Sequence, residues 1–552
     1  MGFSAIDYVV LFAYLAGITA FGTRFRRSQR SVTDYFRGNR TTSWWVISLS
    51  IVATETSTLS LIGVPALVYA SSARPELGGS LTYLQVVIGY LVGRLVISAI
   101  LLPAYFRRDL LTAYALLERR FGSATKHFAA SLFLVMRALA EGVRVFAASL
   151  VLGAVLATSF PHVAHLWLWS IVIVGLLTLI YTFEGGIGAV IWTDVIQFVI
   201  YIGGCLVAVY ELAHLTPGGW SGIVSIARGA GKLRLLSFSW RLDLPFTFWA
   251  GLVGGAFLTT ASHGTDQLMV QRLLTCRSLR DSRKALLTSG VVVFLQFVLF
   301  LVVGLALFGF YQSTPAPVLT TSDEIFPTFI VQNLPHGVSG LVIAAIFAAA
   351  MSNLSGSLNS LASTTIIDFY QPLLAPRATD VRLLIVSRWC TAAWGVALIG
   401  VAVVARDWGS VFTAGLTIAS LVYGPMLGAF LLGVLTTRAT ERGVMAGMAV
   451  SLACMLAVRF YTTLAWTWYV LVGTAICAAV GYLASRLSEF HDERGGGNGV
   501  SPPESRRRRV DVVQDVGRFQ GQEGRHLRRH GEGLVEAPIT EVRQGRDQAR
   551  VL

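Results

Sequence analysis

The chain alternates long apolar runs with short, basic connections. Apolar runs at about 5–23, 43–70, 78–106, 124–158, 163–182, 187–212, 244–270, 286–312, 337–370, 384–405, 408–435, 441–460 and 466–486 approach or exceed the roughly 20 residues that cross a bilayer as a helix. The pattern predicts an all-α integral membrane protein of about 13 transmembrane helices, which lies in the lipid bilayer of the cytoplasmic membrane. Several runs exceed the length of a crossing, so tilt, a break or extension beyond the bilayer is expected. The only early charge is Asp7 and the basic residues follow the first run, so that run reads as a spanning helix rather than a signal peptide. After residue 486 the periodicity stops. GGGNG, SPPES and Arg506 to Arg509 predict a disordered basic cytoplasmic tail over 487–552, behind a membrane domain at 1–486.

Composition agrees: 54% of the 552 residues are hydrophobic and only 13% charged, against about 25% charged in soluble chains. The net charge is +14, of which the tail supplies +1. The excess therefore belongs to the membrane part, where it reports orientation and not nucleic-acid binding. Odd-numbered loops are basic: Arg24, Arg26, Arg27, Arg30, Arg37 and Arg40 in the first, Arg107, Arg108, Arg119, Arg120 and Lys126 in the third, Arg272, Arg277, Arg280, Arg283 and Lys284 in the seventh. Positive loops stay cytoplasmic, which predicts an outside N-terminus and a cytoplasmic C-terminus. The longer sixth loop, with Arg228, Lys232, Arg234 and Arg241, opposes this and weighs less. The five cysteines form no CxxC and read as small core residues. No nucleophile–base pair or transition-metal cluster stands out, so neither an enzyme nor a cofactor is expected.

Four polar stretches interrupt the apolar runs, and such residues are costly in lipid. The first is Ala53-Thr54-Glu55-Thr56-Ser57-Thr58-Leu59-Ser60. It reads as a helix break whose carbonyls and hydroxyls hold an ion, or as a helix whose hydroxyls bond back to it. In the second, Ala349, Ser352, Ser355 and Asn359 share one helical face, suited to close packing or to oxygen ligation of a small cation. The third runs from Glu184-Gly185-Gly186 to Asp194 and Gln197. Asp194 there needs sodium, a proton or a basic side chain as partner. The fourth is Arg137, Glu141 and Arg144, spaced for internal ion pairing, or for Arg144 to anchor a substrate carboxylate.

Together these segments resemble the sodium:solute symporter family, which includes sodium/glucose, proline and sialic acid transporters. The resemblance covers about residues 5–486. It rests on Gly185-Gly186, Ala189-Val190, Trp192-Thr193-Asp194 and Gln197. Gly264-Thr265-Asp266-Gln267 with Gln271-Arg272, and Leu358-Asn359-Ser360 with Asp368-Phe369-Tyr370, add to it. So do Asp34-Tyr35-Phe36, Gly38, Arg40 and Trp44-Trp45. The resemblance implies a LeuT-like core of 5+5 inverted repeats at 43–212 and 244–435, each opening with a broken helix, with 5–23 and 441–486 as flanking helices. The polar break near Thr54–Thr58, and Gly251, Gly254, Gly255, Thr259 and Thr260, agree with those two openings.

The resemblance also implies a sodium site on Ala53, Thr56, Ala349, Ser352 and Asn353, where many members carry serine or threonine in place of Asn353. A second sodium would use Asp194, Ser352 and Ser355, with Gly356 lacking the hydroxyl that helps elsewhere. The substrate positions are Glu55, Ser57, Thr58, Ser60, Gln85, Arg144, Thr259, Thr260 and His263. The absence of amides from the first polar stretch favours a carboxylate or zwitterion over a neutral sugar. Such a solute would place its acid on Arg144 and its amine near Glu55, unless Glu55 and Arg144 form a gating salt bridge. The implied function is sodium-coupled import of a small organic solute by alternating access, with Na+ as coupling ion. Proton coupling through Asp194 or Glu55, and a membrane solute sensor, are the alternatives. The sequence does not fix the oligomeric state.

Overall fold

The structure is a computed structural model, and it describes residues 3–23, 42–70, 75–106, 110, 112–159, 163, 165–317, 322–406, 408 and 411–495. The Asp34-Tyr35-Phe36 stretch with Gly38 and Arg40, the first-loop arginines, Arg107, Arg108, the side chain of Glu184 and the tail beyond 495 lie outside the described residues.

The described part is helical: α1 (Ala5–Thr23), α2 (Trp44–Glu55), α3 (Thr58–Tyr69), α4 (Leu84–Val96), α5 (Ser123–Ser159), α6 (Leu166–Leu215), α7 (Gly219–Gly229), α8 (Gly255–Gly264), α9 (Gln267–Leu274), α10 (Leu279–Ser313), α11 (Ile325–Asn333), α12 (Val338–Ser363), α13 (Asp380–Ala405), α14 (Val411–Leu435), α15 (Glu441–Tyr461) and α16 (Tyr469–Gly495). Among the described residues eight helices are long and apolar enough to cross a membrane, or nine with one bent pair counted as a span. The expected count of thirteen is not confirmed by these spans. The runs at 163–182 and 187–212 form one helical element, α6, instead of two. α7 and α11 are helices within loops that apolar length alone did not announce.

The bent pair is α2–α3, which turns by 60°. Thr56 and Ser57 are extended, with ψ of 101° and 165°. Helical pairing stops at Thr56 N–H to the Val52 carbonyl (3.0 Å) and resumes with Ser60 and Leu61 on the Ser57 carbonyl (2.9 and 3.0 Å). Four hydroxyl residues in five positions compete with the backbone for hydrogen bonds, which is why the helix opens here. Backbone opened at membrane depth must be buried in protein or line a cavity. Both apply: α12, buried along most of its length, packs against α2, α3 and α6.

A second break follows α8. Thr265 leaves helical geometry and Asp266 is extended. Gly251 and Gly255, expected to open the helix, instead let α4 approach. A Cβ on Gly251 would lie 2.6 Å from the Gln85 carbonyl, and one on Gly255 would lie 2.5 Å from that of Val86. Only glycine tolerates such a backbone crossing.

Candidate functional site

The first break faces α12. Ser352 donates to Asp194 Oδ1 (2.6 Å), and Ser355 donates to the Ser352 carbonyl (3.0 Å). Asp194 Oδ2 accepts from Ser50 (2.5 Å), Thr54 (3.3 Å) and the Arg272 guanidinium (3.0 Å). Of the three partners left open for Asp194, a basic side chain is the one observed. Arg272 also donates through Nε to Ser50 (3.0 Å), and both Asp194 and Arg272 are fully buried. Arg272 was counted with the seventh loop's surface charge, but it belongs to the core. Gly356 leaves room for it, since a Cβ there would meet the guanidinium at 2.5 Å.

Thr56 Oγ1 accepts from Gln296 (2.6 Å) and Tyr201 (3.1 Å) and donates to the Val52 carbonyl (2.8 Å). Its hydroxyl is used up, so only its backbone carbonyl can serve an ion. Asn353 donates Nδ2–H to the Thr54 carbonyl (2.6 Å) across the break, while its Oδ1 is buried without a hydrogen-bond partner. Carbonyls at an opened helix, one hydroxyl and one orphaned amide oxygen are hard donors that suit a small cation carried as cargo.

Beside this set lies a narrow cleft lined by Ser57, Thr58, Glu141, Arg144 and Asn353, with Ala350 and Leu354, and in it Glu141 Oε2 is buried without a hydrogen-bond partner. Arg144 pairs with Glu141, which also accepts from Arg137 at 3.0 Å. The ion pairing expected within this helix is present. Yet Arg144 Nε and Thr58 Oγ1 have no hydrogen-bond partner. Ser57, the residue before α3, makes no side-chain cap. A helix N-terminus with uncapped N–H groups, a free hydroxyl and a guanidinium N–H together attract an anion. Thr58 also lines a wider cavity walled by Ile62 and Leu150 and rimmed by Asp323 and Glu324. Burial and the neighbouring Glu324 raise the Asp323 carboxyl.

The remaining substrate positions are placed elsewhere. Glu55 does not meet Arg144. It pairs with Arg94 of α4 and lies 3.3 Å from His263 Nε2, so the Glu55–Arg144 gate is corrected to a Glu55–Arg94 pair. Packing decides this: α4 and α8 bring Arg94 and His263 to the end of α2. Gln85 donates to the Thr82 (3.1 Å) and Phe246 (2.9 Å) carbonyls and accepts from Ser237 N–H (2.9 Å), bracing a loop. Thr260 bonds back to Ala256 (2.7 Å), Thr259 packs beside Gly93, and Ser60 is not among the cleft residues.

Arg94 and Arg272 were not singled out as site residues. A lone arginine inside an apolar run is itself a signal, since it must find a partner in the protein.

A spanning helix broken at Thr56–Ser57, oxygen donors that suit a small cation and an adjoining narrow cleft are the features of a secondary carrier. A model of the sodium:solute symporter family matches residues 35–451. The sodium/sialic acid symporter NanT of Aliivibrio fischeri is 30% identical over 499 residues, covering 88% of this chain and 94% of that protein. The human sodium/iodide cotransporter is 30% identical over 476 residues, 84% of this chain and 71% of its own. A solved Na+-coupled sialic acid symporter, in a substrate-bound outward-open state, superimposes with TM-score 0.78 at 29% identity, covering 88% of this chain and 98% of the other. Mhp1, a nucleobase-cation-symport-1 transporter, shares the fold alone, with TM-score 0.52 at 15% identity over 86% of this chain and 98% of its own. The chain belongs to the sodium:solute symporter family. It is a multi-pass membrane transporter and not an enzyme, with Na+ as its coupling ion.

Proposed function

We propose that the protein imports a small organic carboxylate or zwitterion together with sodium, with the acid group held between Arg144 and the N-terminus of α3. The observation that carries this is the cleft itself: Thr58 Oγ1 and Arg144 Nε are buried donors without partners, next to the Asn353 end of the sodium set. Sodium sits among the carbonyls of Ala53, Thr56 and Ala349 with Ser352 and Asn353, bracing α2–α3 against α12. A second sodium at Asp194, Ser352 and Ser355 is disfavoured in this reading, because the Arg272 guanidinium already balances Asp194. Likewise Glu55 is balanced by Arg94, so the amine of a zwitterion points toward Asp323 and Glu324 rather than Glu55. Repeats 43–212 and 244–435 then rock about the site, with the N-terminus outside and the C-terminus cytoplasmic.

The test is thermal unfolding of the detergent-purified protein in sodium or potassium at equal ionic strength. Its panel holds N-acetylneuraminate, pyruvate, lactate, amino acids, sugars and polyols. A ligand that binds the native state raises its midpoint. Carboxylates raising it only in sodium, and not in Arg144→Ala, is the expected outcome. A response to neutral sugars alone would sink the carboxylate reading.

A further inference from the structure

Asn353 is the one member of the sodium set that also faces the cleft. Its amide has a donor end and an acceptor end, and the two are fixed by their surroundings. The Thr54 carbonyl can only accept, so Nδ2 faces it, at 2.6 Å. Oδ1 is left buried and unpartnered beside Arg144 and Thr58, and the residue is only 4% exposed.

In this state Nδ2–H does for the opened backbone what a cation does, satisfying a carbonyl freed at the break. At the same time Oδ1 presents an acceptor to the cleft, where a carboxylate would meet it oxygen to oxygen. A half-turn about χ2, a soft two-fold torsion, exchanges the two ends. Oδ1 then faces the break, where an ion needs an oxygen. Nδ2 faces the cleft, where a carboxylate needs a donor.

We propose that the Asn353 amide is the coupling switch: sodium at the break turns Oδ1 toward itself and thereby replaces one acceptor of the cleft wall with a donor, beside the Glu141 carboxylate that stays an acceptor. The solute half of this proposal rests on the carboxylate reading above. The sodium half does not. Because coupling between two ligands is reciprocal, the carboxylate tightens sodium by the same factor.

Two variants of the full-length protein test it. Asn353→Asp keeps the shape but has acceptors at both ends. It should lose thermal stability in potassium, where a carboxylate now faces the Thr54 carbonyl. Sodium alone should then raise its midpoint by more than it raises that of the wild type. Asn353→Ala removes both ends of the amide. It should bind both ligands with little communication between them. For pyruvate and N-acetylneuraminate, exchange of potassium for sodium should tighten wild-type binding about tenfold, and binding to Asn353→Ala by no more than about twofold. Full tenfold coupling in Asn353→Ala, or a wild-type sodium response in Asn353→Asp, would overturn the switch. If neither carboxylate stabilises the wild type, the solute half falls with the carboxylate reading, and the Asp variant alone decides the sodium half.

Discussion

The helix breaks after Glu55 and after Gly264 are finished differently. At the second break the side-chain oxygens of Asp266 and Gln267 are tied, although Arg137 Nε is buried without a hydrogen-bond partner. Asp266 Oδ1 caps α9 through the Leu268 N–H (2.9 Å), and Oδ2 accepts from Tyr423 (2.7 Å) and pairs with Arg137. Next to it, Gln267 Oε1 accepts from the Ala113 N–H (2.7 Å). At the first break the Asn353 amide holds the Thr54 carbonyl and Gln296 and Tyr201 hold Thr56 Oγ1, while Thr58 Oγ1, Asn353 Oδ1 and Arg144 Nε stay unpartnered. A buried polar group without a partner costs about 1–3 kcal/mol. Such a cost is tolerated where a cargo relieves it. One break is a joint fixed by the protein, and under the proposed function the other is a site completed by its cargo.

The comparison breaks most easily at Asp266. Asp266→Ala leaves Arg137 buried with half its countercharge, and removing one partner of a buried pair costs about 3–5 kcal/mol. We expect a large drop in the thermal midpoint, or failure to fold, with or without ligands. Thr58→Val at the other break should cost far less, because no hydrogen bond is lost. Equal losses in the two variants would erase the distinction.

Next in size is Arg144→Ala. Glu141 keeps Arg137 (3.0 Å), so the fold should survive while carboxylate binding weakens. A hydrogen bond to a charged group contributes about 1.5–3 kcal/mol, roughly 10- to 150-fold in affinity. Titration calorimetry in sodium reads this, and unchanged binding would move the anion elsewhere.

Tyr423→Phe should cost about 1–2 kcal/mol through the lost donor to Asp266, with no change in the sodium-induced shift of the midpoint. A changed sodium shift would mean that the second break also senses the ion.

The smallest effect concerns the far end of α3. There Lys232 Nζ donates to the carbonyls of Val68 (2.7 Å), Ala70 (2.9 Å) and Gly79 (3.2 Å), although in sequence it counts with the other basic residues of the sixth loop. Burial pushes its ammonium from 10.5 down to about 8. Between those values the unfolded chain holds the proton and the folded one releases it, so stability should rise with pH across this window. Midpoints measured from pH 8 upward should rise less in Lys232→Met. An identical slope in both proteins would remove Lys232 from the account.

Much of the first break was legible. A run of hydroxyls in an apolar segment announces an opened helix, and Ala53, Ser352 and Asn353 lay on the faces that meet there. The second break was misplaced within its run. Gly251 and Gly255 looked like openings, but they serve a close crossing with α4. The true break at Thr265–Asp266 lies beyond these glycines and is closed by residues from α5 and α14. Gln85 and Thr260 likewise had the right chemistry in the right helices, yet their side chains donate to backbone carbonyls, and Thr259 packs beside Gly93.

The sequence by itself determined that the chain is a membrane protein, which family it belongs to and where its first core helix opens. Those features follow from local pattern, because hydropathy and backbone competition act within a few residues. Only the tertiary structure decided which charges pair: Glu55 with Arg94, Asp194 with Arg272, Asp266 with Arg137. Helical period assigns a residue to a face but not to a neighbour. In a medium that leaves no buried charge unpaired, the packing of the helices chooses the partner.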